Sequence, residues 1–291
     1  MTRGQRFREG CIEGLIRISG ISSIVIVVLI LLFLLREGFA LFQSVPLGDF
    51  LMGQRWNPIS EPPRFGILPL LLGSAAVTAG AAVFSVPVGV ASALFISEIA
   101  KGWVKETLKT GIELFAAIPS VVLGFIGMTV LAPLIRQAFH LPTGLTALAG
   151  SMTLAFMAIP TVVSITEDAL TAVPQGYREA ALALGATRWQ MMSRVLLPAA
   201  GSGIAAAVML GVGRVIGETM AVMMVTGNAA VIPHTLLQPV RTLTATIAAE
   251  MGETVQGSDH YFALFAIALV LFAISFVVNL IADVFLHRER T

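Results

Sequence analysis

Long apolar runs separated by short polar segments dominate the chain. A helix needs about 20 largely apolar residues to cross the hydrocarbon core of a bilayer. Six runs qualify, at about residues 15–35, 67–96, 112–135, 143–166, 200–226 and 262–283. Transmembrane strands would instead require ten-residue segments of alternating polarity, and the sequence contains no series of them. The pattern predicts an all-α integral membrane protein with six transmembrane helices.

The composition supports this interpretation. Of the 291 residues, 56% are hydrophobic and 12% are charged, whereas a soluble domain carries about 25% charged residues. With half the usual proportion of charged residues, the chain cannot cover its whole surface with groups that face water, so much of the surface must contact membrane lipid. The net charge of +1 gives no indication of nucleic-acid binding. The single cysteine, Cys11, excludes an intramolecular disulfide.

The first apolar run and the basic residues together predict the topology. The run continues into Arg36 and Glu37 without a small-residue cleavage signature, so we expect an uncleaved anchor helix rather than a signal peptide. With the N-terminus in the cytoplasm, eleven lysines and arginines lie in cytoplasmic segments and five lie on the other side. Because cytoplasmic loops carry the excess of positive charge, we expect both termini in the cytoplasm.

The loop between the fourth and fifth runs, residues 167–198, is predicted to be helical. Pro174 suits the first turn of a helix, and Gly185 suits the position just after its end. Thr187, with Gln190 three residues later, forms a capping box for a second helix. The residues predict a helix, a glycine corner and another helix, which could be a structured connector or a docking element for a partner.

The same loop resembles the EAA signature of ABC importer permeases in residue type and spacing. The resemblance covers six positions, which are Glu179, Ala180, Ala181, Gly185, Leu197 and Pro198. In those permeases the loop docks onto the ATPase subunit. The resemblance therefore implies that these six residues couple the chain to an ATPase.

No lysine of the sequence belongs to a phosphate-binding loop. The G-x-x-x-x-G-K-[ST] motif needs a lysine directly after a glycine, and Lys101, Lys105 and Lys109 all follow other residues. The chain is accordingly expected to bind no cofactor and to be a non-catalytic subunit. The resemblance implies that ATP and Mg are bound by partner ATPase subunits.

Two charges interrupt the fifth apolar run. Arg214 is about ten residues into the segment that begins near Gly203, so it is expected roughly 15 Å deep, and Glu218 follows on the same helix face. Each charge at the bilayer centre costs about 2.5–3.5 kcal/mol. One interpretation is an Arg–Glu pair that locks helix packing. In the other, Arg214 binds a passing oxyanion while Glu218 orients it and Thr219 adds a hydroxyl donor.

The segments 213–222 (GRVIGETMAV) and 242–253 (TLTATIAAEMGE) resemble the C-type permease subunits of phosphate-specific ABC importers, the PstC family. The resemblance covers about residues 66–286. It implies a type I ABC importer permease core of five helices plus an N-terminal helix, in a bacterial inner (plasma) membrane. Inorganic phosphate is then the substrate. The implied partners are a PstA-like permease subunit, two PstB-like ATPases, a PstS-like phosphate-binding protein outside the membrane, and membrane lipid.

Two domains follow from the extent of this resemblance. Residues 1–66 are expected to form an N-terminal tail, the first transmembrane helix and an outer loop. Residues 67–286 are expected to form the permease domain, with residues 167–198 as its cytoplasmic coupling loop.

A proline motif occurs twice, as AIPSVV from Ala117 and as AIPTVV from Ala158. Both copies are expected near the cytoplasmic surface. A proline removes a backbone donor, and a nearby hydroxyl can compensate for it. The motifs are either two ordinary helix kinks or an inner constriction where Ser120 and Thr161 offer hydroxyl groups to the anion.

The remaining polar residues give weaker indications. The stretch 242–256 carries Glu250 and Glu253, which could contact a substrate-binding protein or simply form a solvated face. The four histidines, His140, His234, His260 and His287, are isolated in the sequence, so no metal site is predicted.

Three other functions remain compatible with some of these features. The chain could be an ABC permease for another oxyanion, such as sulfate or molybdate. It could be an ion-coupled carrier with Glu218 as a proton relay, or a membrane scaffold or sensor that does not transport. The EAA resemblance argues against the last two.

Overall fold

The structure is a computed structural model that describes the backbone of residues 3–288 and the side chains of residues 12–281. The side chains of Cys11 and His287 lie outside the described residues. In the part described, five helical segments are long and apolar enough to span a membrane, and the number is six if a bent helix pair is counted as one span. The all-helical membrane fold predicted from the apolar runs is therefore confirmed.

In the described part of the chain, the candidate membrane-spanning segments, with the bent pair included, contain nine helices. They are α1 (Arg3–Ala40), α3 (Leu68–Leu94), α5 (Ser120–Ile126), α6 (Ala132–Ala138), α7 (Ala147–Ala172), α9 (Arg188–Met191), α10 (Leu197–Ala199), α11 (Gly201–Ile216) and α14 (Asp259–Arg288). A π-helical turn at Gly127–Leu131 joins α5 to α6. The bent pair comprises Arg188–Ala199 and Gly201–Ile216, with 72° between its two halves.

Shorter elements connect these segments. The helices are α2 (Leu47–Met52), α4 (Trp103–Ala116), α8 (Gln175–Ala183), α12 (Met220–Val225) and α13 (Leu243–Glu250), with a 3₁₀ turn at Leu41–Gln43 and π-helical turns at Phe95–Ile99 and Met192–Leu196. Strands β1 (Trp56–Asn57) and β2 (Arg64–Phe65) pair antiparallel. We call residues 95–119 and 173–200 the EAA face, and residues 41–67, 139–146 and 226–258 the opposite face.

Helices α3 and α7 run parallel and form the centre of the fold. Small residues let their backbones approach, as is usual between transmembrane helices. A Cβ atom at Gly89 would lie 2.6 Å from Cγ1 of Val162, and one at Gly80 would lie 2.8 Å from Cβ of Ser151. Both distances are shorter than atoms tolerate, so these two glycines are required by the close contact.

The substitution Gly80→Val is expected to lower the free energy of unfolding by about 1–3 kcal/mol, because the added methyl groups force the α3–α7 pair apart. Thermal unfolding of the detergent-solubilised chain would measure the loss. Gly20→Val is the matched control, since Gly20 lies in α1 with no atom within 4 Å of an added Cβ. Equal stability of the two variants would contradict the prediction.

Helix α1 packs against α14 through its later residues. The Phe33 and Phe265 rings meet edge to face with centroids 5.3 Å apart, and Gly38 contacts the backbone at Ala266. Most of the apolar side chains described between Ile12 and Leu32 are exposed, as expected of a surface that contacts lipid.

Two of the predicted spans are divided rather than continuous. The third, expected at 112–135, is interrupted because α4 ends at Ala116 and α5 begins only at Ser120. The residue before a proline avoids the helical conformation, and Pro119 itself is extended, with ψ of 141°. The first proline motif is therefore a helix break, whereas Pro160 of the second lies inside the continuous α7.

The fifth predicted span, expected at 200–226, is also divided. Helix α11 ends at Ile216, and α12 begins at Met220. The intervening residues, 217–219, include the predicted site residues Glu218 and Thr219. Arg214 and Glu218 therefore do not share one helix face.

Candidate functional site

Arg214 lies where α11 ends inside the membrane-spanning part of the fold. Along α11, Gly203 contacts Ala169 and Gly211 contacts Val162, so α11 runs beside α7 in the opposite direction. Arg214 Nη1 donates a hydrogen bond to Thr161 Oγ1 at 3.2 Å. Thr161 is roughly 17 Å from the EAA-face end of α7, at 1.5 Å per residue. The structure thus brings together two residues that the sequence analysis had proposed for the substrate pathway.

The Arg214 side chain is exposed on the isolated chain. A charged residue at this depth must face protein or water rather than lipid, because hydrocarbon does not solvate it. Its guanidinium has five N–H groups, so donors other than the one bonded to Thr161 are available. The arrangement can therefore offer hydrogen bonds and positive charge to an anion from the membrane interior.

Glu218 does not pair with Arg214. Among the described side chains, Glu218 Oε1 accepts a hydrogen bond from the backbone N–H of Ala221 at 3.1 Å, which caps the start of α12. The Glu218 carbonyl accepts one from Thr244 Oγ1 at 2.8 Å. The interpretation as an Arg–Glu pair is therefore wrong, because the helix expected to carry both residues ends before Glu218. In the other interpretation, the residue that bonds to Arg214 is Thr161 and not Glu218.

A threonine cluster surrounds the helix break, and the sequence analysis had not assigned it a role. The hydroxyls of Thr242 and Thr244 lie 3.2 Å apart, and the backbone N–H of Leu243 donates to Ser74 Oγ at 3.0 Å. These bonds hold the first turn of α13 against α3 and against the break. The available signal was the run of threonines within an otherwise apolar segment.

The other two predicted pathway residues do not bond to Arg214 in the described part of the chain. Thr219 Oγ1 donates to the carbonyl of Gly217 at 3.2 Å, within the break itself. Ser120 is the first residue of α5 and is half-buried. Their role in a substrate pathway stays a prediction.

The predicted helix, glycine corner and second helix are confirmed on the EAA face. Helix α8 ends before Gly185, whose φ of +81° is open to glycine at little cost. The capping box is present: Gln190 N–H donates to Thr187 Oγ1 at 3.2 Å, and Thr187 N–H donates to Gln190 Oε1 at 2.8 Å.

The six EAA-type residues divide between surface and core. Glu179, Ala180, Gly185 and Pro198 are exposed, Leu197 is half-buried, and Ala181 is buried beside Leu170 and Leu196. The outward side of α8 is therefore free to meet a partner, while its inward side packs against the rest of the chain.

Arg178, directly before these residues, points inward and is held by five hydrogen-bond contacts. Its Nη2 and Nε lie 2.8 and 3.2 Å from Glu98 Oε1, and its Nε lies 3.4 Å from Glu98 Oε2. Its Nη1 donates to the carbonyl of Val173 at 2.7 Å, and its Nη2 donates to that of Leu170 at 2.8 Å. The sequence analysis had counted Arg178 only as a topology charge.

A second ion cluster lies on the EAA face and joins α4 to α7. The side chain of Glu167 is only 4% exposed, with Lys109 Nζ 2.7 Å from Oε2 and Lys105 Nζ 3.5 Å from Oε1. The hydrogen bond with Glu167 raises the pKa of Lys109 above its usual value, so this amine stays protonated. Two of the lysines that predicted topology therefore also fasten α4 to the core.

Glu250 fastens the opposite face. Its carboxylate receives a hydrogen bond from Trp56 Nε1 at 3.0 Å, pairs with Arg241, and lies 2.8 Å from His260 Nε2. The proposed solvated face is therefore wrong for Glu250, although Glu253 is exposed. His260 is not isolated either, because folding brings the loop containing Trp56, α13 and α14 together.

Comparison with known proteins identifies the family. The profile described as "Binding-protein-dependent transport system inner membrane component" matches residues 85–291. The "Probable ABC transporter permease protein YqgH" of Bacillus subtilis (strain 168) is 43% identical over 242 residues, covering 83% of this chain and 78% of that relative. The "Phosphate transport system permease protein PstC" of Mesorhizobium japonicum is 37% identical over 259 residues, covering 82% and 78%.

A solved structure shares the fold. It is the crystal structure of a bacterial ABC transporter involved in the import of the acidic polysaccharide alginate, with a TM-score of 0.65 and 17% identity over 97% of this chain and 99% of that one. At this identity the likeness concerns the fold alone. The profile match and the two relatives carry the assignment further: the chain belongs to the binding-protein-dependent transport system inner membrane components and is a non-catalytic, multi-pass permease subunit of a bacterial ABC importer.

Proposed function

We propose that this chain is the C-type permease subunit of a phosphate importer. The observation that carries the proposal is Arg214, an exposed arginine deep in the membrane-spanning part, whose guanidinium bonds to the Thr161 hydroxyl. A guanidinium group is planar and always charged, and two of its parallel N–H donors can bind two oxygens of a phosphate anion. The relative from Mesorhizobium japonicum, which is named a phosphate permease, supports the same substrate.

Membership of the family implies a complex with ATPase subunits and a substrate-binding protein. We infer that a PstA-like subunit covers the side of the chain where Arg214 is exposed, so that the pathway runs between the two permeases. Two PstB-like ATPases would bind ATP and Mg and contact Glu179, Ala180 and the other EAA-type residues. A PstS-like protein would deliver phosphate at the opposite face.

The proposed topology follows the distribution of basic residues. Both termini and the EAA face would be cytoplasmic in the inner (plasma) membrane, and the opposite face would be outside. The division into an N-terminal segment, residues 1–66, and a permease domain, residues 67–286, belongs to the same proposal.

Phosphate uptake by cells that lack the native gene tests the substrate. We expect the wild-type chain, produced with its companion subunits, to restore uptake of radiolabelled phosphate that excess sulfate or molybdate does not inhibit. A guanidinium also suits those tetrahedral anions, so competition is the measurement that separates the alternatives. Assembly with the ATPase but no phosphate uptake would overturn the substrate and leave an ABC permease for another solute.

A further inference from the structure

The buried ion pair between Glu98 and Arg178 has no place in the substrate pathway or on the docking surface. The two side chains are 10% and 13% exposed, respectively. The guanidinium uses Nε and Nη2 on the carboxylate, so the contact fixes orientation as well as distance. Burying two charges is costly and is compensated only by such close contacts.

The ion pair connects three elements: the end of α3, the end of α7, and α8. Glu98 lies in the π-helical turn that ends α3, and Arg178 lies in α8. The two carbonyls that Arg178 also binds, those of Leu170 and Val173, come from the end of α7. The last carbonyls of a helix lack partners within it, so Arg178 also caps α7.

Arg178 and the outward residues of α8 lie on different sides of the helix. Arg178 and Ala181, three residues apart, face the core, whereas Glu179 and Ala180 are exposed. Removing the Arg178 side chain therefore leaves the proposed docking surface chemically unchanged. If an ATPase displaced α8, the force would act on the ion pair, because moving α8 alone would separate two buried charges.

The far ends of these connections reach the membrane interior. Helices α3 and α7 are packed closely at Gly80 and Gly89, so one cannot shift toward the other without displacing it. Helix α7 carries Thr161, which bonds to Arg214. A displacement of α8 thus has a continuous route through Arg178 to the α3–α7 pair and to Arg214.

We propose that Arg178 is a positioning residue that transmits the movement of α8 to α3 and α7, and so couples ATP hydrolysis to a change of access at the membrane interior. The proposal rests on the family membership and not on phosphate as the substrate. Replacing a residue that merely stabilises the fold would lower ATP hydrolysis, assembly and the change of access together. Replacing a residue that transmits movement would separate the two activities: ATP hydrolysis would continue, and the change of access would be lost.

The test uses the complete complex reconstituted in liposomes. In a Cys11→Ser background, which removes the only cysteine of this chain, Met220→Cys reports access, because Met220 is exposed directly after the break at 217–219. A water-soluble maleimide labels this cysteine with and without ATP. ATP hydrolysis is measured on the same preparations, and neither readout requires the substrate to be known.

We expect Arg178→Ala to keep at least roughly half of the wild-type rate of ATP hydrolysis. The ATP-dependent change in labelling rate should fall about 10-fold. Arg178→Lys should keep a partial change, since lysine retains the charge without the fork. Glu98→Gln, which is isosteric, should show the same separation as Arg178→Ala. If Arg178→Ala fails to assemble, Glu98→Gln and Arg178→Lys decide the question.

Arg241→Ala is the matched control, because it breaks a similarly buried pair with Glu250 on the opposite face. Its hydrolysis and labelling change should stay proportional to each other. The proposal is overturned if Glu98→Gln and the Arg178 variants behave as wild type, or if they lower hydrolysis and the labelling change in parallel. Absence of phosphate uptake by the wild-type complex, with the separation intact, would contradict only the substrate proposal.

Discussion

Replacing Arg214 by alanine is expected to lower phosphate uptake roughly 10- to 100-fold without preventing assembly of the complex. A hydrogen bond to a charged group contributes about 1.5–3 kcal/mol, and 1.4 kcal/mol corresponds to a factor of ten. The loss should be large because an oxyanion that has left water at this depth has few other donors. Arg214→Lys should be intermediate, since its ammonium keeps the charge but not the planar fork.

Uptake of radiolabelled phosphate by complemented cells measures the effect, with the membrane level of each variant checked by immunoblot. Arg17→Ala is the matched control, because Arg17 also lies in an apolar helix but pairs at the surface with Glu13. Thr161→Val should cause a smaller loss, as Thr161 orients Arg214 through one hydrogen bond. Uptake by Arg214→Ala within twofold of wild type would assign Arg214 a structural role.

The second large effect is expected at the proposed docking surface of α8. Ala180→Trp should weaken binding of the ATPase subunits about 10-fold or more, because a large ring cannot fit a closely packed contact made for a methyl group. The fold of the chain should be unaffected, since Ala180 is exposed. Co-purification of tagged permease with the ATPase, together with thermal unfolding of the permease alone, would measure both.

Ala248→Trp provides the control for this variant. Ala248 is equally an exposed alanine in a short helix, but α13 belongs to the opposite face. It should leave co-purification unchanged. Full ATPase binding by Ala180→Trp would mean that α8 does not contact the ATPase at this position, and would contradict the role implied by the EAA resemblance.

Local features of the fold were predictable where neighbouring residues decide them. The capping box of Thr187 and Gln190 formed as expected, because both hydrogen bonds join residues three apart. Gly185 took the positive φ expected of a helix end for the same reason. The apolar runs located the four spans that are continuous, because only a helix satisfies its own backbone groups within hydrocarbon.

The breaks within spans were harder to predict. Hydropathy does not distinguish a continuous helix from two helices separated by the residues 217–219, because the residues next to the break, 215–216 and 220–225, are apolar. What holds that break open is a set of distant partners, including the Thr244 hydroxyl on the Glu218 carbonyl. The sequence analysis assumed a continuous helix, and the spacing of four residues therefore wrongly placed Glu218 on the same face as Arg214.

The sequence alone determined that the chain is a helical membrane protein with an EAA-type loop, because length, apolarity and local motifs act over a few residues. Only the tertiary structure decided which charges meet. Arg214 bonds to Thr161, Arg178 to Glu98, and Glu250 to Trp56, Arg241 and His260. Most of these partners are between 53 and 194 residues apart, so helix packing selects them, and no local pattern in the sequence records that choice.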